Sequence, residues 1–322
     1  MAVHTVCVCH SERQLSGRGC LPWPLLRYVL LTLSFVVGVD SSSAQGQKFP
    51  EQRTVAADLQ TPTAVSDTAA AGRRILFAPD PDRPQLQCTL WLPTDWTPQR
   101  SWPVFAELPG NGGYRNAFGD ECSGRAEDCN LGYGLTEGRG WIWLCLPFLN
   151  GDGSQVALTW WGQAPDYQPD ATLQYWQLAV QTVCSRFHGN SNKVVLAGFS
   201  RGAIACNALG LHNEQVARLW AAFLPCSHYD GVRQWPFAGS DPMSAARRFQ
   251  RLANRPQLIL GEGVQTEETA RYLRTVLQAE PAEHGLQLHS TGFVNHSDQW
   301  AMRPCKARDV SRRWLQEIAT QR

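Results

Sequence analysis

The sequence predicts an α/β domain: a mostly parallel sheet of eight strands with helices on both faces. Three observations carry this. Short apolar runs recur from residue 73 onward, and from mid-chain they alternate with helix-length amphipathic segments, the pattern of a sheet covered by helices. The 322 residues, 43% hydrophobic and 18% charged, suffice for one large core or two small ones without metals or cross-links. The strand runs are 74–77, 85–92, 102–108, 141–146, 193–199, 219–224, 257–260 and 286–293, the first two pairing as a hairpin would. The helical segments are 171–187, 200–211, 241–253, 267–279 and 306–319, and no internal repeat occurs.

The N-terminal region has a different character. Arg13, Arg18 and Arg27 precede an uncharged stretch, 28–39, and the small residues 41–44 follow it. That is the order of a secretory signal, so residues 1–44 are expected to be removed on export to the periplasm or medium, an uncleaved anchor or an early start being the alternatives. The apolar stretch is too short to span a bilayer comfortably. Residues 45–72, rich in Ala, Thr, Gln and Pro, are expected to be a disordered lead-in or tether to a domain at 73–322. Loss of the leader removes three cations and two anions and leaves 26 of each sign. Balanced charge, without a run of like charges, gives no footing to a nucleic-acid partner.

Eight of the 11 cysteines lie beyond the leader. An even number in an oxidising compartment leads us to expect one to three disulfides, with Cys122 and Cys129 closing a surface loop. Cys145, Cys206 and Cys226 sit in apolar runs as buried thiols. The spacings lack a Cys-x-x-Cys and do not resemble a metal site, and no organic cofactor is implied.

The sharpest motif is Gly198-Phe199-Ser200-Arg201-Gly202, a G-x-S-x-G between a β-rich run and a helix-forming one. A serine at the tip of such a turn is exposed on a strained backbone, and the following helix aims its amides at developing negative charge. Serine needs a base. Among His188, His212, His228, His284, His289 and His296, the best placed is His296, between the last strand and the last helix, with His228 second.

On these residues the chain resembles the α/β-hydrolases over about residues 73–320, and more narrowly secreted bacterial esterases and the catalytic domains of prolyl-oligopeptidase and polyhydroxybutyrate-depolymerase type. The order Ser200, acid, His296 matches that group. The resemblance implies oxyanion amides from Arg201 and from the loop Pro109-Gly110-Asn111-Gly112-Gly113, where Leu-Pro-Gly-Asn replaces the usual His-Gly, so Gly110 and Asn111 are both candidates. It also implies an acid after the penultimate strand. Glu262 is the nearest carboxylate there, Asp230 is its rival, and Asp298 reads as a loop-stabilising group. The long connection before Asp170 carries Trp160 and Trp161, candidates for a substrate platform for a sugar or apolar acyl group as much as for packing. The expected activity is ester hydrolysis through an acyl-enzyme, on a small or polymer-derived substrate, with no stable membrane insertion after signal cleavage. A serine peptidase and a non-catalytic binding protein on the same fold are the alternatives, and oligomeric state is left open.

Overall fold

The computed structural model describes residues 49–116, 120–280 and 284–321. The leader and the first residues of the lead-in lie outside the described residues. The main sheet comprises β1 (Arg74–Phe77), β2 (Cys88–Trp91), β3 (Trp102–Leu108), β4 (Ile142–Cys145), β5 (Gly189–Phe199), β6 (Ala222–Cys226), β7 (Gln257–Gly261) and β8 (Leu286–Ser290). In space they run β1-β2-β4-β3-β5-β6-β7-β8. β2 is antiparallel to β1 and β4, and every other pairing is parallel. This is the fold of the α/β-hydrolases, with the exchange of β3 and β4 in the spatial order.

Helices α1 (Leu131–Thr136), α2 (Asp170–Arg186), α3 (Arg201–Ala208), α4 (Glu214–Ala217), α5 (Pro242–Phe249), α6 (Gln265–Thr275) and α7 (Lys306–Thr320) connect and cover the strands. Alternate strand residues face opposite sides. Val104, Ala106 and Leu108 thus join Val194 and Leu196 in one core with α2 and α3, while Phe105, Val195, Ala197 and Phe199 join α1 and α7 in the other. Burial on both faces is why these strands read as continuous apolar runs. No helix among the described residues is long and apolar enough to cross a membrane.

Two expectations need correction. Residues 49–72 are not a tether. Gln52 N–H donates to Asn295 Oδ1 at 2.7 Å, Val294 N–H to Pro50 O at 3.2 Å, and Val65 bridges to Ile75. The buried Arg308 guanidinium grips both oxygens of Asp58 at 2.5 and 2.6 Å. Long-range polar pairing with a domain distant in sequence holds this segment, and a composition reading has no access to it. The expected disulfides are also absent among the described residues: all eight cysteines are free thiols. Cys129 is buried with its sulfur within 4.8 Å of those of Cys145 and Glu107's oxygens, whereas Cys122 lies against Gly110. The two cysteines face different neighbours and do not staple the loop.

One buried charge organises the sheet's centre. Glu107, fully buried on β3, accepts from the N–H groups of Leu131 (3.0 Å) and Gly132 (2.8 Å) at the start of α1 and from Trp143 Nε1 (2.8 Å). Arg74 lies over the Trp143 ring at 4.2 Å and donates to the carbonyls of Ala126 and Cys129. Burial nevertheless raises the Glu107 carboxyl above its ordinary range, against the lowering effect of these three donors.

Candidate active site

The site lies at the C-terminal ends of β5, β6 and β7, where the turns leave the sheet. Ser200 follows β5 directly with φ 54° and ψ −112°, a conformation costing ~1–3 kcal/mol that the flanking strand and helix must hold. Gly202 is required by close approach, because a Cβ there would sit 2.2 Å from the Leu108 carbonyl oxygen on β3. Ser200 Oγ is 2.9 Å from His296 Nε2. The histidine loop is fixed from a segment distant in sequence: His296 N–H donates to Asp120 Oδ1 at 3.0 Å, and Tyr114 stacks on the imidazole and donates to the His296 carbonyl at 3.2 Å.

Two oxygens face His296 Nδ1. Ser227 Oγ, one residue beyond β6, is at 2.7 Å, and Glu262 Oε1, one residue beyond β7, is at 3.2 Å. The serine contact has hydrogen-bond geometry, whereas Glu262 Oε1 is buried and has no hydrogen-bond partner. Ser227 holds φ 94°, a left-handed value rare for a residue with a side chain. Gln265, with its amide nitrogen turned toward its acceptors, donates to Glu262 Oε2 at 2.8 Å and to the Ser227 carbonyl. Asp230, the rival acid, lies elsewhere: Arg248 binds both its oxygens at 2.8 and 2.9 Å. It serves a buried ion pair, and the choice between two loops ending neighbouring strands could not be read from spacing.

The oxyanion candidates separate by contact. Arg201 supplies the first amide of α3. Gly110 lies against Cys122, whose thiol burial drives up to about 11. A Cβ on Gly110 would meet Cys122 Sγ at 2.7 Å and Ser200 Cβ at 3.1 Å, so this loop packs directly against Ser200. Asn111 Oδ1 accepts from Trp160 N–H at 2.9 Å and so ties the oxyanion loop to the aromatic segment.

Arg201 has a second role that the motif concealed. Its side chain is 1% exposed, donates to the carbonyls of Trp160 (2.8 Å), Ala157 (3.2 Å) and Gly124 (3.3 Å), and lies over the Phe148 ring. With carbonyls rather than a carboxylate around it, desolvation pulls its pKa down to about 9. One buried guanidinium thus joins the loops on either side of Ser200.

Trp160 and Trp161 differ. Trp161 is 1% exposed and packs on Phe148 and Phe237, so it belongs to the core and not to a platform. Trp160 stays half-buried, 5.5 Å from Trp235, which is 5.3 Å from His228, which is 5.0 Å from His296. This aromatic wall leads to His296. Burial, and then the neighbouring His296, depress His228 to about 3, so it adds no charge beside His296. Sequence reasoning ranked His228 second and did not single out Ser227, Tyr114 or Asp120.

A cavity of about 1190 Å³ is lined by Gly110, Tyr114, Cys122, Asn130, Phe199 and Asp298 among others; neither Ser200 nor His296 lines it. Asp298, expected as a local loop-stabilising group, instead reaches across the fold: it accepts from the Asn130 backbone N–H at 3.1 Å and its side chain at 3.0 Å. Burial, and then the charge of Glu107, push its carboxyl up to about 8 from an ordinary 3.8. The native state therefore favours the protonated form. The associated stability is full below about pH 4 and lost as pH rises through about 8. Asp298→Asn is expected to flatten that decline in unfolding free energy. Denaturant titrations across the window check this, and an unchanged slope would count against it. Glu107, Cys129 and Cys145 are the one cluster of metal-ligand atoms among the described residues, but it suits no cation: the carboxylate oxygens already accept three N–H groups, and Arg74 lies 3.7 Å from Cys145 Sγ.

No protein-family model matches the sequence, and no curated protein matches it. Solved structures resemble it in fold. A thermostable esterase aligns at 15% identity and TM-score 0.46 over 76% of this chain and 62% of its own. The feruloyl esterase module from Clostridium thermocellum aligns at 12% and 0.47 over 80% and 95%. Oligopeptidase B from Trypanosoma brucei aligns at 14% and 0.45 over 78% and 37%. The chain thus spans under two thirds of the length of the first and the last.

Proposed function

We propose that this chain is a serine hydrolase that cleaves carboxylic esters through an acyl-enzyme. The observation that carries the reading is the 2.9 Å contact between Ser200 Oγ, on its strained turn, and His296 Nε2. Ser200 attacks the ester carbonyl while His296 Nε2 takes its proton. The imidazolium then gives that proton to the departing alcohol, and water repeats the sequence to release the acid. Glu262, buried beside Nδ1, stabilises the imidazolium. The oxyanion donors are the amide of Arg201 and one from the loop Gly110-Asn111, which packs against Ser200. Trp160, with Trp235 and His228, borders the acyl or alcohol portion of the substrate, and the leader-like sequence supports an activity outside the cytoplasm. An ester is favoured over a peptide because its alkoxide leaving group asks less of the acid.

A fluorophosphonate probe tests this. Peptide mapping is expected to find the adduct on Ser200, with short p-nitrophenyl esters turned over faster than matching anilides. An unlabelled wild-type chain overturns the serine hydrolase reading. Faster anilide cleavage moves it to a peptidase.

A further inference from the structure

We propose that Ser227 is a positioning residue for His296: its hydroxyl accepts the Nδ1–H of the neutral imidazole in the resting enzyme, and Glu262 takes that N–H over as the imidazole becomes charged. This rests on the serine hydrolase reading above. The base must be unprotonated at Nε2 to receive the Ser200 proton, so the single ring proton belongs on Nδ1. There the nearer acceptor is a neutral hydroxyl at 2.7 Å and the farther a carboxylate at 3.2 Å. A bond from imidazolium to carboxylate is roughly twice as strong as one between neutral groups. A carboxylate held just beyond hydrogen-bond geometry at rest is thus gained mainly when charge appears, and only interactions that strengthen toward the transition state accelerate the reaction.

The surroundings fix this two-acceptor arrangement. Ser227 N–H donates to the Leu260 carbonyl at 2.8 Å, on the strand that leads to Glu262, and Gln265 ties the Ser227 carbonyl to Glu262 Oε2. Glycine would hold φ 94° without strain, yet a serine occupies the position with its hydroxyl on the catalytic imidazole. The other polar groups around the imidazole do not compete for Nδ1–H: Asp120 takes the backbone N–H of His296, Tyr114 donates to its carbonyl, Ser200 is on Nε2, and His228 packs ring against ring.

The test uses the rate of fluorophosphonate labelling in the full chain, which needs no knowledge of the substrate. Ser227→Ala and Ser227→Gly both delete the hydroxyl, and the second also relieves the backbone. Each is expected to slow labelling by about 10-fold, the worth of one hydrogen bond, with Ser227→Gly melting no lower than wild type. In a Glu262→Gln background, where no carboxylate remains to take Nδ1–H, either substitution is expected to cost a larger factor. A merely structural serine would give the same factor in both backgrounds. Equal factors, or wild-type labelling by both Ser227 variants, overturn the assignment while leaving the hydrolase standing. A wild-type chain that does not label at all removes both.

Discussion

Replacing Ser200 with alanine is expected to lower ester turnover by about 10⁶-fold, and His296→Ala by a similar factor, because the two act as one unit. Ser200 without a base is a weakly nucleophilic alcohol, and His296 without Ser200 has no proton to take across the 2.9 Å contact. The double variant is therefore expected to be no slower than either single one, within a few fold. What survives, roughly 10³–10⁴ over water, is the share of the oxyanion amides and binding. The amides of Arg201 and of the Gly110-Asn111 loop are untouched by these substitutions, so that remainder should persist. Single-turnover hydrolysis of an activated ester by the three variants measures it. Multiplicative losses, or a Ser200→Ala chain that remains active, would remove Ser200 and His296 from the chemistry.

Glu107→Ala is expected to be the most damaging substitution away from the site. It leaves the N–H groups of Leu131 and Gly132 and the Trp143 indole without their acceptor in a fully buried place, and it strips Arg74 of a neighbouring carboxylate. Breaking a buried charge arrangement costs about 3–5 kcal/mol. A domain has only ~5–15 kcal/mol in total. Glu107→Gln keeps a carbonyl acceptor and should lose less. Urea titrations that place Glu107→Ala within 1 kcal/mol of wild type, a threshold of about one ordinary hydrogen bond, would show that α1 is held by packing alone. The same experiment bears on the site, because α1 follows the Cys122–Cys129 region that packs against the oxyanion loop.

Much of the site was legible because its chemistry is local. Ser200 is marked by a strand, a turn of small residues and a helix, all within a few positions, and Glu262 and His296 by their places just past strands. The strand runs were legible for a similar reason: residues buried on both faces leave an uninterrupted apolar stretch, as 193–199 does within β5. Ser227, Asp120 and Tyr114 carry no local mark. Each acts on His296 from 69, 176 or 182 positions away in sequence, so only the assembled sheet assigns them a partner.

The sequence by itself determined the sheet-and-helix alternation and the elbow serine, since backbone preference and side-chain period act over neighbouring residues. The tertiary structure decided which carboxylate attends the histidine. Glu262 and Asp230 both follow strands, but Arg248 neutralises Asp230 while Glu262 is left beside Nδ1. It also buried Trp161 fully while leaving its neighbour Trp160 half-buried on the same Phe237, and drew residues 49–72 onto the domain through Asp58 and Arg308. The physical reason is common to all three: a polar group's or ring's partner lies across the fold, where no local pattern constrains it and only the order of strands brings it near.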